Sequence, residues 1–288
     1  MVTPVSVTGS TRELDRGRLT ILIAALLWSL AGVFIKLLDV HPLTIVFYRS
    51  FFASLVFIPF LKSSEFRFNG PVLISVISYT AAITAFVSAN KLTTAANAIV
   101  LQYTAPVLVY LFSRLVLGEK ISSPNALALA VSMVGVGFIS IDNAGEPEMS
   151  GVLLALLSGV LFALYMVNLQ RLKEFSATYL TWLNNLVCAL LLLPFVEARL
   201  ALSTDQLLIV AVMGAVQLGL PYFLFSRGLR SIPLQEAALI ALVEPVLNPV
   251  WVALIIGEIP SFATLLGGAM ILAALAVRYL GPLLSRSG

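Results

Sequence analysis

The sequence predicts an all-α polytopic membrane protein whose ten transmembrane helices form two inverted five-helix repeats. Three observations predict this fold: the composition, a series of apolar segments, and a stretch of sequence that recurs after 139 residues. Of the 288 residues, 60% are hydrophobic and 11% are charged, and the mean hydropathy is +1.02. A soluble domain is nearer to half apolar and a quarter charged. The composition therefore favours a protein that lies largely within a bilayer.

The apolar residues are collected into ten continuous segments. A helix needs about 20 mostly apolar residues to cross the hydrocarbon core. We number the segments 1 to 10 in chain order: 19–38, 43–61, 71–90, 94–117, 124–141, 150–169, 177–196, 206–226, 234–256 and 261–281. In the strands of a membrane barrel, apolar and polar residues would alternate with a period of two, whereas these runs are continuously apolar. The connections are too short to form a separate domain.

The basic residues indicate the orientation. If the polar tail 1–18 lies in the cytoplasm, 13 of the 17 Lys and Arg residues fall in cytoplasmic connections. Only Lys36, Lys91 and Arg199 fall outside, and Arg49 lies within segment 2. This bias predicts a multi-pass membrane protein with both termini in the cytoplasm. Segment 1 is long enough to be an uncleaved spanning helix. The net charge of +3 is too small and scattered for a nucleic-acid partner.

The recurring stretch divides the chain into halves. PVLVYLFSRLVLGEK begins at Pro106 and PVLNPVWVALIIGEI begins at Pro245. One copy ends segment 4, the other ends segment 9, and one further segment follows each. We therefore predict five-helix repeats at 19–142 and 150–281. Because five is odd, the halves have opposite orientations, an arrangement common in transporters and also found in some channels.

Each copy closes on a Gly-Glu pair. Gly118 is suited to the left-handed conformation that ends a helix. Glu119 and Glu258 are then expected at an interface, near the start of a helix, where negative charge is favoured. We interpret the pair as structural rather than as part of the transport site.

Three longer motifs carry a resemblance to a known family. They are ALLWSLAGVFIKLL at 25–38, SANKLTTAANAIVLQYTAPVLVYLFSRLVLGEK at 88–120 and RGLRSIPLQEAALIALVEPVLNPVWVALIIGEI at 227–259. The chain resembles the drug/metabolite transporter superfamily with its paired EamA domains over about 17–281, and within it the YddG-type amino-acid exporters. The resemblance implies efflux of aromatic and other neutral amino acids across the bacterial inner membrane, through a central cavity. It also implies that segments 1, 3, 4, 6, 8 and 9 line that cavity and that segments 5 and 10 lie outside it. The second half departs from the pattern in having Phe162 where the first half has Trp28.

Prolines within the segments indicate where a polar cavity lies. A proline inside a helix frees the carbonyl four residues before it, and in lipid that carbonyl needs a partner. Pro106 frees the carbonyl of Gln102, and Pro221 frees that of Gln217. Both positions carry amide side chains, which are costly in hydrocarbon, so we expect them at a wet cavity. The alternative is that the kinks only serve helix packing.

Glu244 is the most informative single residue, because it is predicted near the middle of segment 9 and directly precedes Pro245. A carboxylate at bilayer depth costs about 2.5–3.5 kcal/mol and faces a cavity or a partner. It can bind the amino group of a substrate or carry a coupling proton. The alternatives are a structural pair with Arg49, or a neutral carboxyl bonded to a freed carbonyl. Asn248 follows one turn later on the same face.

Aromatic side chains with polar tips complete the candidate site, because they suit an apolar pocket for an amino acid. The predicted substrate-binding residues are Trp28, Tyr79, Gln102, Tyr103, Gln217, Tyr222, Glu244 and Asn248. The sequence has no metal-binding HExxH, no phosphate-binding loop and no cysteine pair, so we expect neither an enzyme nor a cofactor.

The sequence therefore predicts an exporter of small metabolites, most of all amino acids, that works by alternating access as a monomer. One alternative is the export of cationic drugs or other metabolites on the same fold. A second, of another class, is a passive pore or a membrane sensor.

Overall fold

The computed structural model describes residues 11–62, 67–105, 108, 112, 123–142, 148–172, 174–228, 231–232 and 240–284. All regular elements in these ranges are helices. Their bounds are α1 (Thr11–Trp28), α2 (Ala31–Leu37), α3 (Pro42–Phe57), α4 (Gly70–Leu92), α5 (Ala95–Gln102), α6 (Ser123–Asp142), α7 (Met149–Leu169), α8 (Ala177–Val196), α9 (Thr204–Val212), α10 (Leu220–Gly228), α11 (Val243–Ile256) and α12 (Phe262–Leu284). A π-helix, Met213–Gly219, joins α9 to α10 without a gap.

The helices follow the predicted segments closely. Within the described ranges, six helical spans are long and apolar enough to cross a membrane: Glu13–Leu37, Pro42–Phe60, Gly70–Leu92, Met149–Leu169, Ala177–Val196 and Thr204–Phe225. Shorter apolar helices are Ala130–Ile139, Val243–Ile256 and Phe262–Ala274. Large apolar side chains point outward along them, including Leu153, Leu190 and Leu254. The prediction of a helical multi-pass membrane protein is confirmed at this level.

The two halves of the chain pack against each other helix by helix. The largest interfaces of the described helices join α4 with α7, α6 with α12, α3 with α8, and α1 with α10. α5 also contacts both α7 and α11. Expressed as predicted segments, the four largest interfaces pair segment 3 with 6, 5 with 10, 2 with 7 and 1 with 8. Segment 4, which contains α5, contacts both segment 6 and segment 9. Most of these pairs are retained when each segment is exchanged for the one five places away in the chain.

α8 fastens the halves together with polar side chains. Asn184 accepts a hydrogen bond from Ser75 Oγ of α4 (3.2 Å) and donates one to Tyr165 Oη of α7 (3.3 Å). Asn185 accepts one from Tyr79 Oη (3.0 Å). Buried polar groups away from water need partners, so these bonds fix the three helices in register.

Three basic residues lie at one end of the bundle. Lys36, Lys91 and Arg199 were all predicted on the outer side. Lys36 Nζ donates to Thr93 O (2.9 Å), Lys91 Nζ donates to Leu38 O, and Arg199 lies near His41. We call this end of the bundle the Lys36 end. At the opposite end Tyr179 Oη donates to Arg67 O (2.7 Å).

α6 and α12 cross at unusually close range. A Cβ placed on Gly135 would lie 2.6 Å from Gly267 O, and one on Gly267 would lie 2.5 Å from Gly135 O. Real Cβ atoms do not approach a carbonyl oxygen this closely, so the crossing requires glycine on both helices. The two glycines thus allow segments 5 and 10 to pack closely within one chain.

This crossing gives a matched pair of variants. We expect Gly135→Ala to lower the free energy of unfolding by about 1–3 kcal/mol, because the added methyl group forces two helix backbones apart. Gly137→Ala is the control, since nothing lies within 4 Å of the Cβ position of Gly137. Thermal unfolding of the two purified variants in one detergent checks this. Equal transition temperatures would show that α6 and α12 are free to separate at little cost.

Candidate functional site

Several helices are interrupted near the centre of the bundle. α1 ends at Trp28 and α2 begins at Ala31, with a turn at Ser29 and Leu30. α5 ends at Gln102, and the π-helix lies directly before Pro221. Backbone groups at such breaks must be satisfied by protein or by water in a cavity. Discontinuous helices of this kind form the binding sites of many transporters.

The start of α11 corrects one sequence prediction. Segment 9 was expected to be continuous, with Glu244 near its middle and Pro245 as an internal kink. α11 instead begins at Val243, so Glu244 lies in its first turn. Pro245 then occupies an early position where the missing N–H costs little, and Pro249 is the proline inside α11.

Tyr103 connects this helix start to the other half of the chain. Its hydroxyl lies 2.8 Å from Glu244 Oε2 and 3.2 Å from Ala241 O. Ala241 lies two residues before the start of α11. One phenol thus reaches both this backbone carbonyl and the carboxylate. The contact joins segment 4 of the first half to segment 9 of the second.

The proposed structural pair between Arg49 and Glu244 is absent. No oxygen of Glu244 lies within 4.0 Å of a nitrogen of Arg49, and Tyr103 is the side chain that bonds to the carboxylate. Arg49 is 3% exposed, and its Nε and Nη1 have no hydrogen-bond partner among the described residues. The interpretation of Glu244 as the counter-ion of Arg49 was therefore wrong.

The predicted residues Trp28, Tyr79 and Tyr222 belong to a connected cluster of aromatic rings. The ring of Tyr222 lies 5.2 Å from Trp28 and 6.4 Å from Tyr79, both edge to face. Tyr79 in turn lies 5.4 Å from Tyr165, whose ring is 5.8 Å from Phe162. We call Trp28, Tyr79, Phe162, Tyr165 and Tyr222 the aromatic cluster. It draws on segments 1, 3, 6 and 8 and so joins both halves.

Two predicted amides lie at the breaks with atoms left unpaired. Gln217, 2% exposed, donates from Nε2 to Trp28 O (3.3 Å), whereas its Oε1 has no partner. Asn248 is fully buried, and neither Nδ2 nor Oδ1 has a partner among the described residues. Its Oδ1 lies 2.6 Å from the place a Cβ on Gly32 would occupy. Unpaired buried amides in a well-packed protein indicate a place for water or ligand.

Gln102 contributes differently from the other candidates. It is half-buried at the end of α5. Its backbone carbonyl oxygen lies 3.2 Å from the place that a Cβ on Gly159 of α7 would occupy. It thus lies beside Tyr103 at the break. The structure brings Trp28, Tyr79, Gln217 and Tyr222 together around the aromatic cluster, and Tyr103 with Glu244 beside α11. Pro106 lies outside the described residues, so its kink is not described here.

Some site residues were not among the predicted set. Asn184 and Asn185 orient Tyr165 and Tyr79 of the aromatic cluster, and Trp251 Nε1 donates to Ser29 Oγ (3.0 Å) at the break after α1. The two adjacent asparagines in segment 7 are a detectable pattern, because amides in an apolar helix require partners. Nothing in the sequence marks Ser29 as the end of α1.

An ion pair joins the halves at the Lys36 end. Glu258 Oε2 lies 2.7 Å from Lys36 Nζ, and its Oε1 accepts from the backbone N–H of Ala95 (2.6 Å) at the start of α5. Gly257 has φ of +81°, which ends α11 and directs the chain toward this contact. The structural interpretation of the Gly-Glu pair agrees with this geometry. Gly118 and Glu119 lie outside the described residues.

A groove on the bundle surface is separate from these contacts. It has a volume of about 390 Å³ and lies between α4, α7 and α8. Its walls include Ile77, Leu157 and Leu191, which are all strongly exposed. This groove opens sideways, where a membrane protein meets lipid, and lacks charged groups.

Both halves of the chain match one known protein family. The EamA-like transporter family matches the chain twice, over residues 15–141 and 149–280. This chain belongs to the EamA-like transporter family. It is a multi-pass membrane transporter and not an enzyme, and the resemblance to the drug/metabolite transporter superfamily is confirmed.

Individual relatives agree with this assignment. Two uncharacterized transporters of Archaeoglobus fulgidus are 26% and 27% identical to the transporter, each over 91% of this chain and over 96% and 97% of their own lengths. A solved crystal structure covers 92% of this chain and 98% of its own with a TM-score of 0.69 at 19% identity. That likeness concerns the fold alone. None of these relatives carries a named substrate.

Proposed function

We propose that the transporter exports aromatic and other neutral amino acids across the bacterial inner membrane by alternating access. The observation that carries the proposal is Glu244, a carboxylate held by Tyr103 between the two halves, near Tyr222 of the aromatic cluster. A carboxylate suits the ammonium group of an amino acid, and edge-on aromatic rings suit an apolar side chain. Glu244 also favours the alternative that the substrate is a cationic drug.

The proposed architecture has ten membrane crossings in two inverted repeats, 19–142 and 150–281. The helix pairing between the halves supports it, because an axis that exchanges the repeats accounts for those pairs. Repeats that exchange conformations expose one central site to either side in turn. The ion pair of Lys36 with Glu258 then closes the Lys36 end and has to break when that end opens.

Counterflow in proteoliposomes tests the proposed activity. Vesicles loaded with unlabelled phenylalanine are expected to accumulate labelled phenylalanine transiently, with saturation and with competition by other neutral amino acids. The panel includes an organic cation without a carboxyl group, which tests the drug alternative. A flux that does not saturate would indicate a pore. The absence of any flux would favour a sensor.

The proposed orientation is tested at the two ends of one helix. Glu174 and Ala201 are both exposed and flank α8. In a Cys188→Ala background, we expect an impermeant thiol reagent to label Ala201→Cys in intact cells and Glu174→Cys only after permeabilisation, because basic connections stay in the cytoplasm. The reverse labelling pattern would show that the transporter has the opposite orientation in the membrane.

A further inference from the structure

Arg49 has no established role in the contacts described above. It lies midway along α3 and is 3% exposed, and its Nε and Nη1 have no partner among the described residues. Charged side chains inside a membrane are rare and are kept where they pair with another group or meet a substrate pathway. A buried arginine with free donors is therefore a candidate binding group.

The groups around Arg49 do not neutralise it. Those near enough to interact electrostatically are the phenols of Tyr79 and Tyr222 and the thiol of Cys188. None of these is an acid that is ionised at neutral pH. The Tyr79 hydroxyl is already directed to Asn185 Oδ1. The backbone at Arg49 packs tightly on the π-helix, since a Cβ on Gly214 would lie 2.6 Å from Arg49 O. Among the described residues, the guanidinium therefore lies near the aromatic cluster without an acidic partner.

Tyr222 is also close to Glu244. Tyr222 is within electrostatic range of both Arg49 and Glu244, although these two residues form no ion pair. An α-amino acid carries a cation and an anion on one carbon atom. It can therefore meet both residues at once, with its side chain among the aromatic rings.

We infer that Arg49 binds the carboxylate of the substrate and thereby selects zwitterions over simple amines. This inference rests on the proposed function and identifies the group that recognises the second charge. Arg donates in a planar fork that matches a carboxylate with two parallel hydrogen bonds. Glu244 binds the ammonium group at the opposite end of the same headgroup.

The test compares phenylalanine with phenylalaninamide, which keeps the ammonium group and the ring but lacks the carboxylate. In counterflow of labelled phenylalanine by the wild-type protein, we expect unlabelled phenylalanine to compete about tenfold or more better than the amide. Equal competition would overturn the inference without any variant. Absence of all amino-acid flux would overturn the proposed function and this inference with it.

Variants of Arg49 give the second readout. In Arg49→Gln we expect phenylalanine and the amide to compete about equally, because the lost charge acts on the carboxylate alone. Arg49→Lys keeps the charge without the fork and should retain part of the preference. Arg199→Gln, at an exposed arginine of the α8–α9 connection, is the control and should retain all of it.

Folding is measured separately. Because Arg49 is unpaired without substrate, Arg49→Gln should unfold at the wild-type temperature or above. If Arg49→Gln does not fold, Arg49→Lys and the wild-type comparison still decide the outcome. A folded Arg49→Gln or Arg49→Lys protein with the full wild-type preference would overturn the inference.

Discussion

Glu244→Gln is expected to reduce transport per folded protein by about tenfold or more, the equivalent of about 1.4 kcal/mol in the binding of a charged group. Glutamine keeps the size of the side chain and can still accept from Tyr103 Oη, but it cannot be ionised. The hydrogen bond that Tyr103 Oη donates to Glu244 Oε2 (2.8 Å) can therefore still form with the amide oxygen, and expression should stay normal. Counterflow normalised to the folded fraction measures the effect.

Tyr103→Phe is the matched variant for this contact. It removes the hydroxyl that reaches Glu244 and Ala241 O but leaves the carboxylate in place. If Glu244 acts on the substrate, Tyr103→Phe should retain more flux than Glu244→Gln. If Glu244 only joins the halves through Tyr103, the two variants should lose flux and stability equally. Wild-type flux in Glu244→Gln would leave this residue no transport role.

The pH profile separates two uses of the carboxylate. If Glu244 carries a coupling proton, the flux of the wild type depends on pH and that of Glu244→Gln does not. A Glu244 that binds an ammonium group gives a variant with weaker substrate competition and an unchanged profile.

Gln217→Leu is expected to have the second largest effect, a loss of transport of about fivefold or more at nearly unchanged stability. Leucine removes the bond from Nε2 to Trp28 O, which costs about 1 kcal/mol, and also removes the buried Oε1 that lacks a partner. These opposing contributions should leave the unfolding temperature close to that of the wild type. Transport should fall because the amide links the π-helix to the break after α1.

Gln102→Leu and Gln206→Leu complete this experiment. Gln102→Leu should also reduce flux, since Gln102 lies at the break after α5. Gln206 belongs to the capping box of α9, at the start of the helix that leads to Gln217, and its replacement should affect stability more than transport. Normal transport in both Gln102→Leu and Gln217→Leu would mean that the helix breaks serve packing and that the site lies elsewhere.

The sequence was sufficient for features that each part of the chain encodes locally. An apolar segment of about 20 residues is enough to specify a spanning helix, because the bilayer itself imposes the length and the hydrogen bonding. The observed bounds of α4, α7 and α8 differ from segments 3, 6 and 7 by two residues at most. Gly257 was likewise predictable as a helix end, since glycine adopts a left-handed conformation without strain.

The candidate site was only partly predictable, because polarity identifies a residue and not its partner. Glu244, Gln217 and Tyr222 could be selected because polar groups in apolar segments are costly. The same argument applied to Arg49, yet it suggested the wrong partner for it. Asn184 and Asn185 were overlooked although their segment showed the same polarity.

What the sequence by itself determined is the class of protein, its helical segments and the division of the chain into two related halves. Only the tertiary structure decided where the helices break and which polar groups meet. Tyr103 and Glu244 are 141 residues apart, Trp28 and Gln217 are 189 apart, and Ser29 and Trp251 are 222 apart. Helix formation depends on neighbours within one turn. The breaks after α1 and before α11 instead depend on distant side chains, because Gln217 donates to Trp28 O and Tyr103 donates to Ala241 O.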